Sequence, residues 1–280
     1  MKVVKVINNN NICVLDDEGR EQIVSGKGIG FGKKYGDKVE VSQIQKTYLI
    51  TDSELQKKMI TMLKEIPYEY MEFTNDFVEH IKTVYPNKLN ESLLVTLSDH
   101  IAFAIERKKN GIEFTNPLID SISEAYPQEL GLGEYCVGQM KNRLGVEMTR
   151  DEAGFIAMHI INAKLDTKMS DVYDITKMIN GCVEIAEHFY KEKFNKESVS
   201  YERFITHLKY LAQRLYQNKP LPEVLSEDSV FVSMIKKTCN KHFICAISIQ
   251  EYILKTYKKT INDDELIALT IHLKKVSSES

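Results

Sequence analysis

The chain has no CxxC pair, and its cysteines are few and odd in number: Cys13, Cys136, Cys182, Cys239 and Cys245. That pattern offers neither a disulfide framework nor a Cys/His zinc site, and it fits a reducing compartment. No apolar run approaches the ~20 residues that cross a bilayer. The opening MKVVKVINNN turns to asparagine before a signal-peptide core could form. Membrane insertion is therefore not expected, and the cytoplasm is the expected location. Excess charge is missing as well: a formal net charge of -3 excludes a protein that coats nucleic acid by bulk electrostatics, so any nucleic-acid site must be local. There is no GK[ST] phosphate loop and no HExxH segment. What remains is an ordinary globular composition, 43% hydrophobic and 28% charged, in 280 residues, enough for two or three domains.

Glycine is concentrated rather than abundant. Six of the 13 glycines fall within the first 36 residues, four of them alternating at positions 26, 28, 30 and 32 in SGKGIGFGKKYGDK. Around them KVVKVI, NICVLDD, EQIVSG and KVEV are short and rich in Val and Ile, separated by NNN, DEG and the glycine run, which predicts strands joined by turns. So small a β module buries little surface and is marginal alone, a deficit that dimerisation would relieve. The glycine run on its own is equally well read as a hairpin bend with a core phenylalanine and solvated lysines.

From Asp52 onward strand signals vanish. Thr51, Asp52 and Ser53 cap a helical pattern in ELQKKMITMLKEI, and the rest of the chain is predicted to be helical. Within it lies an internal repeat. LSDHIAFAIER (97–107) matches FITHLKYLAQR (204–214): His, an aromatic three residues on, Arg seven residues on. TRDEAGFIAMHI (149–160) matches NDDELIALTIHL (262–273): an N-cap residue, Thr149 or Asn262, then Glu three residues later as in a capping box, then His seven residues after that. Each copy therefore carries two histidines, His100 with His159 and His207 with His272. Seven residues is close to two helical turns, so His100 shares a face with Arg107, His207 with Arg214, Glu152 with His159, and Glu265 with His272. His80, His188 and His242 show no counterpart in this pattern.

Four chemistries compete for such histidines. They can simply pack or cap helices. They can ligate metal or act as a catalytic base, but the spacing suits no metal signature and no nucleophile accompanies them. They can also accept a phosphoryl group, because imidazole is largely neutral and nucleophilic near neutral pH, with a nearby guanidinium to receive the new charge and a nearby carboxylate to oppose it.

Taken together, KVINNN, GKGIGFGKK, LSDHIAFAIER, DEAGFIAMHI and the second copies resemble the BglG/SacY/LicT family of transcriptional antiterminators over the whole chain. The resemblance implies a multidomain fold: a small all-β co-antiterminator RNA-binding domain at 1–55, a linker at 56–64, and two all-α helical-bundle regulation domains at 65–170 and 171–280. It implies a homodimer that binds an RNA hairpin, the ribonucleic antiterminator, and so prevents an overlapping terminator from forming. It further implies phosphorylation of His100, His159, His207 and His272 by HPr and a sugar-specific enzyme II component, with Arg107, Arg214, Glu152 and Glu265 as charge partners. No enzymatic activity, metal or cofactor is implied. On this reading Lys5, Asn8, Asn10, Gly26, Lys27, Gly28 and Phe31 face RNA: asparagine amides suit base edges, bare backbone permits close approach, Phe31 offers a stacking face, and the lysines supply local charge. Lys27 stands where many members have Arg, replacing a planar contact by a point charge. His272 follows His207 by 65 residues, against 59 between His100 and His159. The alternative is a DNA-binding activator carrying the same regulatory modules, but the helix-turn-helix and ATPase-like region of such activators are not visible.

Overall fold

The computed structural model describes residues 1–49, 52–86, 89–219 and 229–278; the expected cap Thr51 lies outside them. The N-terminal segment is a four-stranded antiparallel sheet in the order β1 (Lys2–Asn8), β2 (Asn11–Leu15), β3 (Glu21–Ser25) and β4 (Lys46–Tyr48). The segment KVEV, expected as the last strand, makes only an isolated bridge, Lys38 to Lys2, before a single 3-10 turn at Val41–Gln43. Val39 is instead used for burial, and the fourth strand forms after it.

Both faces of the sheet are covered, which is why NICVL is nearly all apolar instead of alternating. On one face Val3, Ile12, Val14 and Val24 pack with Ile29 and Val39. On the other, Ile7, Cys13, Ile23 and Tyr48 pack with Met59, Leu63, Met71 and Val95. Met59 and Leu63 belong to α1 (Ser53–Glu65), whose N-cap Asp52 accepts a hydrogen bond from Leu55 N. The segment 56–64, expected as a linker, is thus helical and packs on the sheet. Burial of two such side chains stabilises the contact by about 1.5–3 kcal/mol each.

Ile29 explains the glycine run. It is buried on the sheet between glycines, and the chain around it is a series of turns pinned to the β1–β2 turn: Gly26 N donates to Asn10 O and Gly30 N to Asn9 O, each at 2.9 Å. A Cβ at Gly30 would overlap the Asn8 carbonyl oxygen, and one at Gly26 the Gln43 carbonyl oxygen. At these two positions the bare backbone admits the chain's own backbone. We expect Gly30→Ala to cost about 1–3 kcal/mol through overpacking, whereas Gly138→Ala, in an open helical position, should be neutral or stabilising; urea unfolding of the two variants checks this.

No strand occurs among the described residues beyond β4. The helices are α2 (Tyr68–Val84), α3 (Ser92–Lys109), α4 (Ile119–Ala125), α5 (Pro127–Leu144), α6 (Arg150–Leu165), α7 (Met169–Tyr190), α8 (Val199–Gln217), α9 (Ser229–Thr238), α10 (Asn240–Tyr257) and α11 (Asp263–Val276). The chain forms two compact units, one of residues 1–115 with 132–164, the other of 116–131 with 165–280. In the first, α2, α3, α5 and α6 bury Phe73, Phe77, Ile81, Leu97, Ile101, Cys136, Met140, Ile156 and Ile160 in one core. In the second, α7, α8, α10 and α11 pack on one another and bury Ile179, Phe204, Leu208, Ile249 and Leu269. The repeat is thus a four-helix set used twice.

Candidate nucleic-acid interface and paired histidines

The β1–β2 turn and the glycine run form one surface. Asn10 Oδ1 accepts from Gly28 N at 2.9 Å, which fixes the orientation of this half-exposed amide. Lys5, Lys27 and Phe31 are exposed, Phe31 to 75%. Lys27 N donates to Gln45 Oε1, which holds the backbone of this residue while its ammonium stays free to move. Asn8 and Gly26 are turned inward instead. Asn8 Oδ1 accepts from Asn10 N and Asn11 Nδ2, and its Nδ2 donates to Leu63 O. The Oδ1 atom and one N–H of this half-buried amide are thus engaged within the protein, and in this conformation Asn8 shapes the turn and ties it to α1.

In both helical modules the paired histidines meet. His100 (α3) and His159 (α6) have ring centroids 4.6 Å apart; His207 (α8) and His272 (α11) are stacked at the same 4.6 Å. Spacing alone did not reveal this. A buried carboxylate joins each pair to its arginine. Glu152 Oε2 accepts from Arg107 Nη2 at 2.7 Å while its Oε1 lies 2.7 Å from His100 Nε2, out of hydrogen-bond alignment. Glu265 binds Arg214 through both oxygens, at 2.7 and 2.8 Å, and lies 3.8 Å from His207 Nε2. The two glutamates are therefore not capping-box residues. Asn262 does cap α11 by accepting from Glu265 N, but both carboxylates turn inward, since a buried carboxylate gains more from a guanidinium than from a helix-end amide. The Arg107 guanidinium also lies 5.2 Å from the Phe103 ring centre and 4.3 Å from that of Phe114, which screens it from water.

Burial favours the neutral imidazole at His159, His207 and His272. His159 is pushed down to about 3 by burial and by His100. His207 is pushed down to about 3 by burial, His272 and Arg214. His272 is lowered by burial, Lys275 and Arg203. His100 Nε2, His159 Nδ1 and both nitrogens of His207 are shielded from solvent. His80 and His188, which looked unmatched, follow Glu79 and Glu187 at comparable places near the ends of α2 and α7. A one-residue difference in the connection to the next helix hid this. His80 and Tyr135 have ring centroids 4.6 Å apart in a tilted arrangement, and His242 Nδ1 pairs with the Tyr190 hydroxyl at 2.8 Å.

Comparison with known proteins matches the model of the CAT RNA binding domain at residues 1–57 and that of the PRD domain twice, at 75–163 and 180–276. The chain is 38% identical over 280 residues to Transcription antiterminator LicT of Bacillus subtilis, covering 100% of both chains. The chain belongs to the BglG/SacY/LicT family of transcription antiterminators. Other members are similar over nearly the same span: Beta-glucoside operon antiterminator of Dickeya chrysanthemi is 36% identical over 279 residues, covering 100% of this chain and 98% of the other. A solved structure of GlcT CAT-PRDI aligns at 32% identity and a TM-score of 0.51 over 58% of this chain and 97% of its own. The two PRD matches contain the two His–His–Glu–Arg clusters, and the CAT match contains the Asn10–Gly28–Phe31 surface. Among the described residues no helix is long and apolar enough to cross a membrane.

Proposed function

We propose that this protein is an RNA-binding transcription antiterminator whose β head grips a hairpin and whose helical modules are phosphorylation sensors. The observation that carries the reading is the duplicated cluster of paired histidines, buried glutamate and arginine, in a chain whose head matches an RNA-binding rather than a DNA-binding family. The organisation we propose is a β head at 1–55 with the helical segment 56–64 docked on its sheet, followed by modules at 65–170 and 171–280, working as a homodimer in the cytoplasm.

Each module accepts a phosphoryl group from HPr or a sugar-specific enzyme II component. The lone pair of a neutral imidazole nitrogen attacks phosphorus, the new N–P bond forms as the bond between phosphorus and the carrier's side chain breaks, and the carrier's side chain leaves with the proton that the acceptor ring gives up. His100 Nε2 is shielded in the folded module, so the helices must part before a phosphoryl group reaches it, and that group then meets Glu152, whose Oε1 lies 2.7 Å away. Two anions cannot share that space, so modification expels the carboxylate and offers Arg107 a phosphoryl group in its place. The same exchange is available at Glu265 and Arg214. His207 offers neither nitrogen to solvent, so we assign His272 as the first acceptor of the second pair.

The test is phosphohistidine mass spectrometry of the full chain after incubation with enzyme I, HPr and phosphoenolpyruvate, alongside read-through transcription past a hairpin-overlapped terminator. Absence of label on all four histidines would remove the sensor role, and unchanged termination would remove the antiterminator role. Phe31→Ala is expected to weaken hairpin binding about 5- to 150-fold, the range of one lost base stack, with no change in melting temperature because the ring is mostly in water. Wild-type affinity in that variant would place the RNA elsewhere.

A further inference from the structure

Tyr35 plays no part in the surface described above, yet at 82% it is more exposed than any other large hydrophobic side chain among the described residues. One exposed aromatic is unremarkable on its own. Three features set this one apart. The backbone beneath it is fixed: Asp37 Oδ2 accepts from Lys34 N at 2.7 Å, Asp37 N donates to Lys34 O, Gly36 N donates to Val3 O at 2.8 Å, and Val3 N donates to Asp37 O at 2.9 Å. The tyrosine thus sits at the tip of a tight turn stitched to β1, with little ordering left to do on binding. The turn is also cationic. Lys34 and Lys38 are exposed beside it, and Lys33 Nζ donates to Lys38 O, which braces the loop. Finally, Phe31 is only four residues away on the same run of turns, where Phe31 N donates to Gly28 O and Lys33 N to Gly30 O. Four residues span at most about 14 Å, so both rings lie within reach of one bent stretch of nucleic acid.

We propose that Tyr35 is a second stacking residue of the RNA surface, taking an unpaired base of the hairpin distinct from the one that Phe31 faces. The proposal rests on the reading of residues 25–38 as that surface. A tyrosine face stacks on any base, and the exposed lysines track the adjoining phosphates. The site is thereby extended along the hairpin beyond the asparagine–glycine surface.

The experiment titrates a stem–loop RNA with two internal loops against the full chain and its Tyr35→Ala, Tyr35→Phe and Phe31→Ala variants over a range of salt. Tyr35→Ala should bind about 5- to 150-fold more weakly, with the slope of log affinity against log salt unchanged because no charge is lost. Tyr35→Phe should stay within about twofold of wild type, since it keeps the ring. Wild-type affinity in Tyr35→Ala, with Phe31→Ala weakened, overturns the proposal and leaves the RNA surface standing. So does a Tyr35→Phe variant as weak as Tyr35→Ala, or a loss that comes with a shallower salt slope. Failure of the wild-type chain to bind any such stem–loop overturns the underlying reading as well. An independent measurement uses the absence of tryptophan from the chain: Tyr35→Trp introduces a single indole whose emission should be quenched at saturating RNA, and unquenched emission overturns the stacking role.

Discussion

Arg214→Ala is expected to destabilise the protein by about 3–5 kcal/mol, the cost of leaving one member of a buried ion pair without its partner. The geometry places this site at the severe end. The Glu265 side chain is only 2% exposed, and both of its oxygens are bound by Arg214. With the guanidinium gone, the nearest group able to compensate the carboxylate is His207, 3.8 Å away. Arg214 itself helps to hold the His207 imidazole neutral, so its removal lets that histidine charge more easily and part of the lost stability should return as pH falls. A paired replacement, Arg214→Met with Glu265→Leu, removes both charges and should recover most of the loss, because apolar side chains of similar volume commonly replace a buried pair at little cost. Chemical denaturation of the two variants at pH 7.5 and 6 decides the matter. A single variant as stable as wild type would mean that Glu265 is satisfied by something other than the arginine.

Much of this site was legible before any coordinates. The repeat, read from two pairs of eleven- and twelve-residue stretches, located all four histidines, both arginines and both glutamates, because two-turn spacing places residues on one helix face whatever the tertiary fold. Helical periodicity does not report which face meets which neighbour, so the 4.6 Å ring contacts and the inward turn of Glu152 and Glu265 came only with the packing. The capping-box expectation failed for the same reason: Glu at the third position is a sound local signal, and a buried guanidinium outcompetes it. In the β head the turns and three of the four strands followed from composition. The role of the glycines did not. Sequence shows that backbone is bare but not what it lies against, and at Gly26 and Gly30 it lies against the chain's own carbonyl groups. Asn8 is a similar case, an amide suited to a base edge whose oxygen and one N–H the fold engages in the β1–β2 turn and with α1. Tyr35 gave no local signal, because an aromatic beside lysines reads equally as core or surface until its exposure is seen.

Acidification from pH 7.5 to 5.5 should cost the folded protein about 3 kcal/mol, and the sign follows from His159 and His207. Both are held to about 3 in the folded chain, while in the unfolded chain they titrate near ~6.5. Below ~6.5 the unfolded chain therefore binds protons that the folded chain refuses, and stability falls as pH drops, with a limiting slope of about 1.4 kcal/mol per pH unit for each histidine. Above about pH 7.5 neither state is protonated at these positions and the dependence flattens. The carboxylates held low by hydrogen bonds, Asp16, Asp76 and Glu147, lose their contribution only as they protonate in more acid solution, outside this window. His272 and His242, also lowered by burial, act in the same direction as the pair. Urea unfolding across the interval tests the slope, and replacing His159 and His207 together by asparagine, which cannot charge, should remove most of it. A wild-type chain equally stable at both pH values would show that these rings reach water. The same burial bears on function: a desolvated imidazole keeps its lone pair at neutral pH, and that lone pair is what an incoming phosphoryl group requires. Under the proposed phosphorylation, the environment that makes the fold acid-sensitive also keeps the His159 and His207 imidazoles chemically ready, while the shielding of both His207 nitrogens means that transfer to that ring must wait for the helices to part.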